Sequence, residues 1–179
     1  MTDENQPTIE DLGKGKYLEL VKEGRWEYAR RLNVTGIVSV VALTRKKEIV
    51  LTEQFRPAVK TKVIELPSGL VGDEVDFAEE SLGEAAVREL YEETGFEAKK
   101  IRLLTWGPPS AGCSNEVVNF YLARDVKQVA KGGGVDGENI TVHVVPLEVV
   151  AKFLRQQLKA GKLVDPKVYT GIYFALHPR

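Results

Sequence analysis

Three carboxylates, Glu89, Glu92 and Glu93, crowd the end of a segment whose apolar spacing reads as a helix over residues 82–94. At roughly 100° per residue, Leu82, Gly83, Ala86, Val87, Leu90, Tyr91 and Thr94 form the arc that must face a core. Glu84 and Arg88 fall opposite, whereas Glu89 and Glu93 lie beside Leu82 at the edge of that arc, with Glu92 next to them. Carboxylates at i and i+4 repel by about 0.2–0.5 kcal/mol even on an exposed helix, and the cost rises as water is excluded. A divalent cation offsets this repulsion. Hard oxygen ligands at this spacing suit Mg²⁺ or Mn²⁺, which in turn bridge phosphate oxygens of a substrate. The competing reading is a solvated acidic face in which Arg88 pairs with Glu84 or Glu92.

The elements that must position these groups are readable in outline. Ser81 and Glu84 have the spacing of a capping box, which starts the helix, and Gly95 occupies the position past its last turn where a left-handed residue is needed. Upstream, the polar start with Pro7, Gly13 and Gly15 is expected to be loose as far as Lys16. Residues 17–22 and 25–30 then form a hairpin about Glu23 and Gly24. The apolar, β-branched run 36–43 reads as a strand buried on both faces. Strands follow at 49–55 and 63–66, the latter stopped by Pro67 and Gly69, and residues 70–80 read as an acidic loop. Two further strands, 101–106 and 117–123, flank a Gly- and Pro-rich loop at 107–112. The glycines of residues 131–137 mark the most flexible segment, which runs into a strand at 140–145 and suggests a lid. Pro146 opens a helix to about Lys159, and Pro166 opens a last helix toward Leu176.

Composition bounds the function. A chain of 179 residues that is 43% hydrophobic and 28% charged fits one globular domain with a short extra element at an end. A net charge of -1 excludes the strongly basic balance of a nucleic-acid binder and argues against polybasic membrane attachment. The sum conceals an uneven distribution: residues 65–97 hold eleven acids against Arg88 alone, a charge of -10, so the remainder carries +9. The single cysteine, Cys113, permits no intramolecular disulfide and fits a reducing cytoplasm. No apolar run approaches the ~18 residues of a membrane span, and residues 1–5 lack a secretory core, so a cytoplasmic location is expected.

The run Glu80, seven residues, then Arg88, Glu89, Leu90, Tyr91, Glu92, Glu93, Thr94, Gly95 and Phe96 resembles the Nudix box from its first glutamate to its end. The box glycine departs from the usual spacing. Position 74 is glutamate, and Gly69 lies eleven residues before Glu80, which reads as a five-residue insertion. Residues 65–70, Glu-Leu-Pro-Ser-Gly-Leu, are similar to the approach to the box in ADP-ribose pyrophosphatases. The resemblance implies an α/β/α sandwich around a mixed sheet, in which Glu89, Glu93 and the Ser68 carbonyl ligate metal. Glu92 is a further ligand through water or an orienting group, Glu80 and Arg88 tie helix to loop, and Gly69 and Gly95 are structural. The implied chemistry is hydrolysis of a nucleoside diphosphate linked to another moiety, with Mg²⁺, or Mn²⁺ in its place, activating water.

Residues 53–57, Glu-Gln-Phe-Arg-Pro, resemble the element by which an arginine holds the diphosphate in ADP-ribose and nucleotide-sugar hydrolases. Arg56 suits that role through its guanidinium fork, the alternative being a surface ion pair. Glu65 and Glu116 join Arg56 as expected substrate-binding residues. Glu138, directly after the glycines, matches a mobile glutamate that acts as base or extra metal ligand, the alternative being an ordinary loop acid. Trp26 is either the aromatic platform that stacks on the base across a swapped dimer or a dimer-core residue. Ala111 replaces a proline usual in the ADP-ribose branch, which leaves room for ADP-glucose or GDP-mannose as substrate. The expectation is a homodimer with a dimerisation element at residues 1–34 and a hydrolase domain at residues 35–179, acting on nucleotide sugars without nucleic acid or membrane. The rivals are a noncatalytic nucleotide-sensing domain and a hydrolase of dinucleoside polyphosphates or nucleoside triphosphates.

Overall fold

The computed structural model describes residues 8–72, 79–135 and 137–177. Strand β4 (Gly36–Thr44) is the axis of the molecule, and its apolar run, interrupted by Ser39, is used on both sides. Val41 and Leu43 enter one core, while Val38, Val40 and Ala42 enter the other. The alternation follows from the two-residue period of a strand. Helix α1 (Leu82–Thr94) supplies Ala85, Ala86 and Leu90 to the second core. Helices α2 (Val150–Lys159) and α3 (Pro166–Leu176) supply Val150, Leu154, Val168 and Ala175 to the first. The result is the expected α/β/α sandwich.

The sheet between these layers is mixed. Strands β5 (Glu48–Arg56) and β7 (Ser68–Val71) run antiparallel to β4, whereas β10 (Val118–Gln128) runs parallel to it. On its far side β5 carries the edge strand β11 (Thr141–Pro146), and it also pairs with β6 (Thr61–Glu65). Strands β8 (Phe96–Glu97) and β9 (Ile101–Gly107) join β10, and β12 (Leu163–Val164) joins β6. A separate three-stranded sheet holds β1 (Ile9–Lys14), β2 (Leu18–Glu23) and β3 (Trp26–Arg31).

Several expectations need correction. The start of the chain is not loose up to Lys16: β1 pairs with β2 through a register shift between Asp11 and Gly13. The expected loop at 70–80 begins as strand β7, because β4 needs a partner beyond the short stretch where it pairs with β5. Residues 73–78, where the insertion is expected, lie outside the described residues. Pro146 ends β11 opposite Glu48 instead of opening a helix, and α2 starts at Val150. An edge strand tolerates proline because one side of it needs no ladder hydrogen bond.

On the α2 face, the sheet buries an acid. Glu53 is 3% exposed and accepts from Lys62 (2.9 Å) and Lys162 (2.7 Å), with His143 Nε2 at 2.9 Å. Burial alone would push this carboxyl up, but the hydrogen bonds from Lys162, Lys62 and His143 outweigh it and hold it at about 2. A carboxyl lowered in the fold stabilises it above the ordinary value of 4.5, and that contribution is lost as pH falls through about 2. Glu53→Gln is therefore expected to cost on the order of 3 kcal/mol at pH 7, the linkage value of a carboxyl lowered from 4.5 to about 2. Melting temperatures followed from neutral pH into acid should show the gap between wild type and variant closing as pH approaches the lower value.

Candidate active site

Helix α1 starts at the Ser81 cap, where both reciprocal hydrogen bonds of the capping box with Glu84 are present. It ends at Gly95, with φ 72°, whose N–H donates to the Tyr91 carbonyl (2.7 Å). A Cβ on Gly95 would lie 2.1 Å from the Ala130 carbonyl oxygen, so glycine is required by close approach as well as by its left-handed backbone.

The helix is turned further than its apolar pattern indicates. Tyr91, assigned to the core arc, is 45% exposed, while Glu93, assigned to its edge, is 5% exposed. The reason lies in β7. Its Ser68 and Gly69 backbone passes directly under Glu89 and Glu93, and the Ser68 N–H donates to Glu93 Oε2 (3.1 Å). A Cβ on Gly69 would lie 1.9 Å from the Glu89 carboxyl carbon. Glycine at this position thus opens the space that two carboxylates occupy. Ser68 in turn is held by its hydroxyl, which donates to the Leu66 carbonyl (2.8 Å) and lies 2.7 Å from the Ser39 hydroxyl on β4.

Arg88 does not point away from the carboxylates as expected. Its Nε and Nη2 bind Glu80 at 3.0–3.2 Å, while Nη1 donates to both Glu89 (2.9 Å) and Glu92 (3.0 Å). Nη2 also reaches the Leu70 carbonyl (3.3 Å), so one guanidinium ties helix, strand and the residue before the helix together. Burial pushes Glu89 up to about 7 against the opposing charge of Arg88. Glu93 is raised well above the ordinary range, first by burial and then by Glu89, with Glu138 and Glu65 adding to it.

The exposed Glu138 carboxylate accepts from the Val135 N–H (3.2 Å) and its charge adds to the raising of Glu89 and Glu93, while Gln54 Nε2 on β5 donates to the Glu138 carbonyl (3.2 Å). The glycines before it dock instead of hanging free. Gly133 and Gly134 donate to the Glu93 and Glu92 carbonyls (2.9 and 3.1 Å), satisfying acceptors that a helix C-terminus leaves open. Asp136 lies outside the described residues. Arg56 on β5 donates to Glu65 on β6 (2.7 Å), the acid that adds to the raising of Glu93. Gln54 and Ser39 were not foreseen as site residues; Gln54 could have been, since alternation along β5 sets it on the face that carries Arg56.

Two expected site residues stand apart from this cluster. Trp26 is 59% exposed at the hairpin turn with the Arg25 guanidinium 5.5 Å from its ring. Glu116 accepts from Arg31 on β3 (2.5 Å), next to backbone hydrogen bonds that join Ala29 to Cys113 and Asn115. It thereby fastens the N-terminal sheet to the loop before β10.

The donor set fits a divalent cation in kind: the buried Glu93 and half-buried Glu89, both raised first by loss of solvent, beside a backbone without a side chain. Among the described residues no three acidic, histidine or cysteine side chains close on one point, since Arg88 engages Glu92 and one oxygen of Glu89.

A family model described as NUDIX domain matches residues 35–166. The chain belongs to the Nudix family. Its relatives include an ADP-ribose pyrophosphatase of Bacillus subtilis (strain 168), 29% identical over 83% of this chain and 81% of that protein. A GDP-mannose pyrophosphatase of Escherichia coli (strain K12) is 29% identical over 83% of this chain and 75% of its own length. A methanol dehydrogenase activator of Bacillus methanolicus is 27% identical over 78% and 71%. A crystal structure titled as an ADP compounds hydrolase superposes with TM-score 0.62 at 18% identity over 83% of this chain and 84% of its own, a likeness of fold. No helix among the described residues is long and apolar enough to cross a membrane.

Gly69→Ala in this Nudix chain tests the site without touching a charged group. Its backbone is not left-handed, so the fold should persist while the methyl displaces Glu89. Activity is expected to fall on the order of 100-fold, as for misplacement by about 1 Å, with the melting temperature little changed.

Proposed function

We propose that this Nudix chain is a pyrophosphohydrolase that cleaves nucleoside diphosphate sugars, of the ADP-ribose, ADP-glucose and GDP-mannose type, to a nucleoside monophosphate and a sugar phosphate. The observation that carries this reading is the packing of Glu89 and the buried Glu93 against Ser68 and Gly69, with Glu65, the partner of Arg56, near enough to raise Glu93. The names of the Bacillus subtilis and Escherichia coli relatives support the substrate class.

Glu89, Glu93 and the Ser68 carbonyl would hold Mg²⁺, for which Mn²⁺ can substitute. When bound, the ion supplies Lewis acidity to the pyrophosphate oxygens and to the attacking water. Arg56 binds the diphosphate in the bidentate manner of a guanidinium, exchanging its hydrogen bond to Glu65 for one to phosphate. Glu138, whose charge adds to the raising of the two carboxylates, accepts the proton of the attacking water or joins them as a ligand. Glu92 orients through Arg88, and Glu80 with Arg88 keeps α1 seated on β7.

Residues 1–34 act as a dimerisation element and residues 35–179 as the hydrolase domain of a cytoplasmic homodimer. Leu18, Leu20 and Trp26 are exposed on the three-stranded sheet and offer the apolar surface for the second copy. Trp26 then serves as platform for the base or as part of that interface. Glu116, through Arg31, keeps this sheet in place beside the substrate loop.

A panel of nucleotide sugars and nucleoside triphosphates, with Mg²⁺ or Mn²⁺, should show preference for the sugars in the wild type. Glu93→Gln is expected to lower kcat by at least about 100-fold, since losing even a partner of a metal ligand costs up to that. The variant should melt no lower than wild type without metal, because it removes a buried charge that its neighbours repel. Added Mg²⁺ should raise the melting temperature of the wild type only. Equal, slow hydrolysis by both proteins would refute the reading. Leu20→Glu should convert a dimer to a monomer in light scattering, with native helix and strand content retained.

A further inference from the structure

The positive remainder of the chain is not spread evenly over the surface. Arg45 and Lys46 at the β4–β5 turn, Lys99 and Lys100 before β9, and Arg124 and Lys127 at the end of β10 line a single open cleft of about 1220 Å³. Arg102 lines it as well, against only two acids, Glu48 and Asp125. Apart from Arg102, none of these cations makes an ion pair among the described residues. The exposed Val144 and half-buried Ile101 give the cleft an aliphatic floor. It lies at the far end of the sheet from the acidic cluster. Five residues of β4 separate Ser39, beside Ser68, from Thr44 in the cleft, about 16 Å at strand rise.

Four chain segments converge on this cleft, and nothing in the hydrolase site uses them. We propose that it is a docking site for an acidic polypeptide segment of a partner protein, one in which aliphatic side chains alternate with carboxylates. The reasons are those of size, floor and charge. Small-molecule pockets are commonly about 300–1,000 Å³, concave and mostly apolar, with a few precisely placed polar groups. Here the cations stand on exposed, separate segments around an open groove. Among the described residues, its one aromatic ring, Phe96, is 4% exposed, so no platform is offered on which nucleic-acid bases could stack. A long polyanion would also meet the residues 65–97, which carry -10, whereas a short acidic segment feels chiefly the cleft, within a Debye length of about 8 Å. Aliphatic side chains bury on the floor while carboxylates meet the rim, which steers association and sets specificity.

The site is independent of the proposed hydrolysis and can be tested apart from it. The probe is a fluorescein-labelled peptide of alternating glutamate and leucine, titrated with full-length protein by fluorescence anisotropy at two salt concentrations. Single-stranded RNA of matched charge and inorganic tripolyphosphate serve as competitors. The variant Arg45→Glu, Lys100→Glu, Arg124→Glu is read beside its milder form with glutamine at the same positions. The expected result is salt-sensitive binding that weakens about tenfold in the glutamate variant and by less in the glutamine variant. Hydrolysis should be unchanged in both, and the peptide should outcompete RNA and tripolyphosphate. Absence of peptide binding, equal binding by the glutamine variant, or tighter binding of RNA or tripolyphosphate overturns the proposal.

Discussion

Two carboxylates of one helix are pressed against the backbone of a neighbouring strand, and most of this molecule follows from that contact. Burial raises both Glu89 and Glu93, and Glu89 raises Glu93 further, a cost that an isolated helix would relieve by turning them to solvent. Here they cannot turn. Arg88 holds Glu89 from one side, the Ser68 N–H holds Glu93 from the other, and Gly69 leaves the only space between them. Under the proposed function, a divalent cation would relieve this cost.

Keeping that contact requires both ends of α1 to be secured. Ser81 and Glu84 cap the start; Arg88 and Glu80 clamp the flank; Gly95 turns the chain sharply at the end. The glycines at 133 and 134 then use the carbonyls of Glu92 and Glu93, the very residues whose side chains form the site. Backbone and side chains of one helical turn thus serve two purposes, closing the helix end and presenting carboxylates, and Glu138 is brought to the cluster by the first of these. On the opposite face of β5, Glu53 is locked by Lys62, Lys162 and His143, which fixes β5, β6 and β11 in register behind Gln54 and Arg56.

Charge is sorted along the sheet as well as between residues. The acidic cluster sits where β4 begins and the basic cleft where it ends, with apolar layers between. Opposite charges kept apart at this distance are each screened and each available to a ligand, instead of neutralising one another. The near-zero net charge is therefore a sum of two separate surfaces.

Local physics made much of this legible without coordinates. The capping box, the left-handed Gly95, the doubly buried β4 and the glutamates of the box follow from short-range rules that act within a few residues. The start of the chain was misread because β1 is held by β2 and its own sequence gives little sign of a strand. The rotation of α1 was misread for a similar reason: periodicity ranks Tyr91 above Glu93 for burial, and only the bare backbone of Gly69 reverses the order. The grip of Arg88 on Glu89, the docking of the glycines and the Glu53 lock join segments far apart in the chain. Sequence determined the donor types, the helix that carries them and the family; tertiary packing alone decided which donors are buried and which are neutralised, because burial and partner distance belong to no single segment.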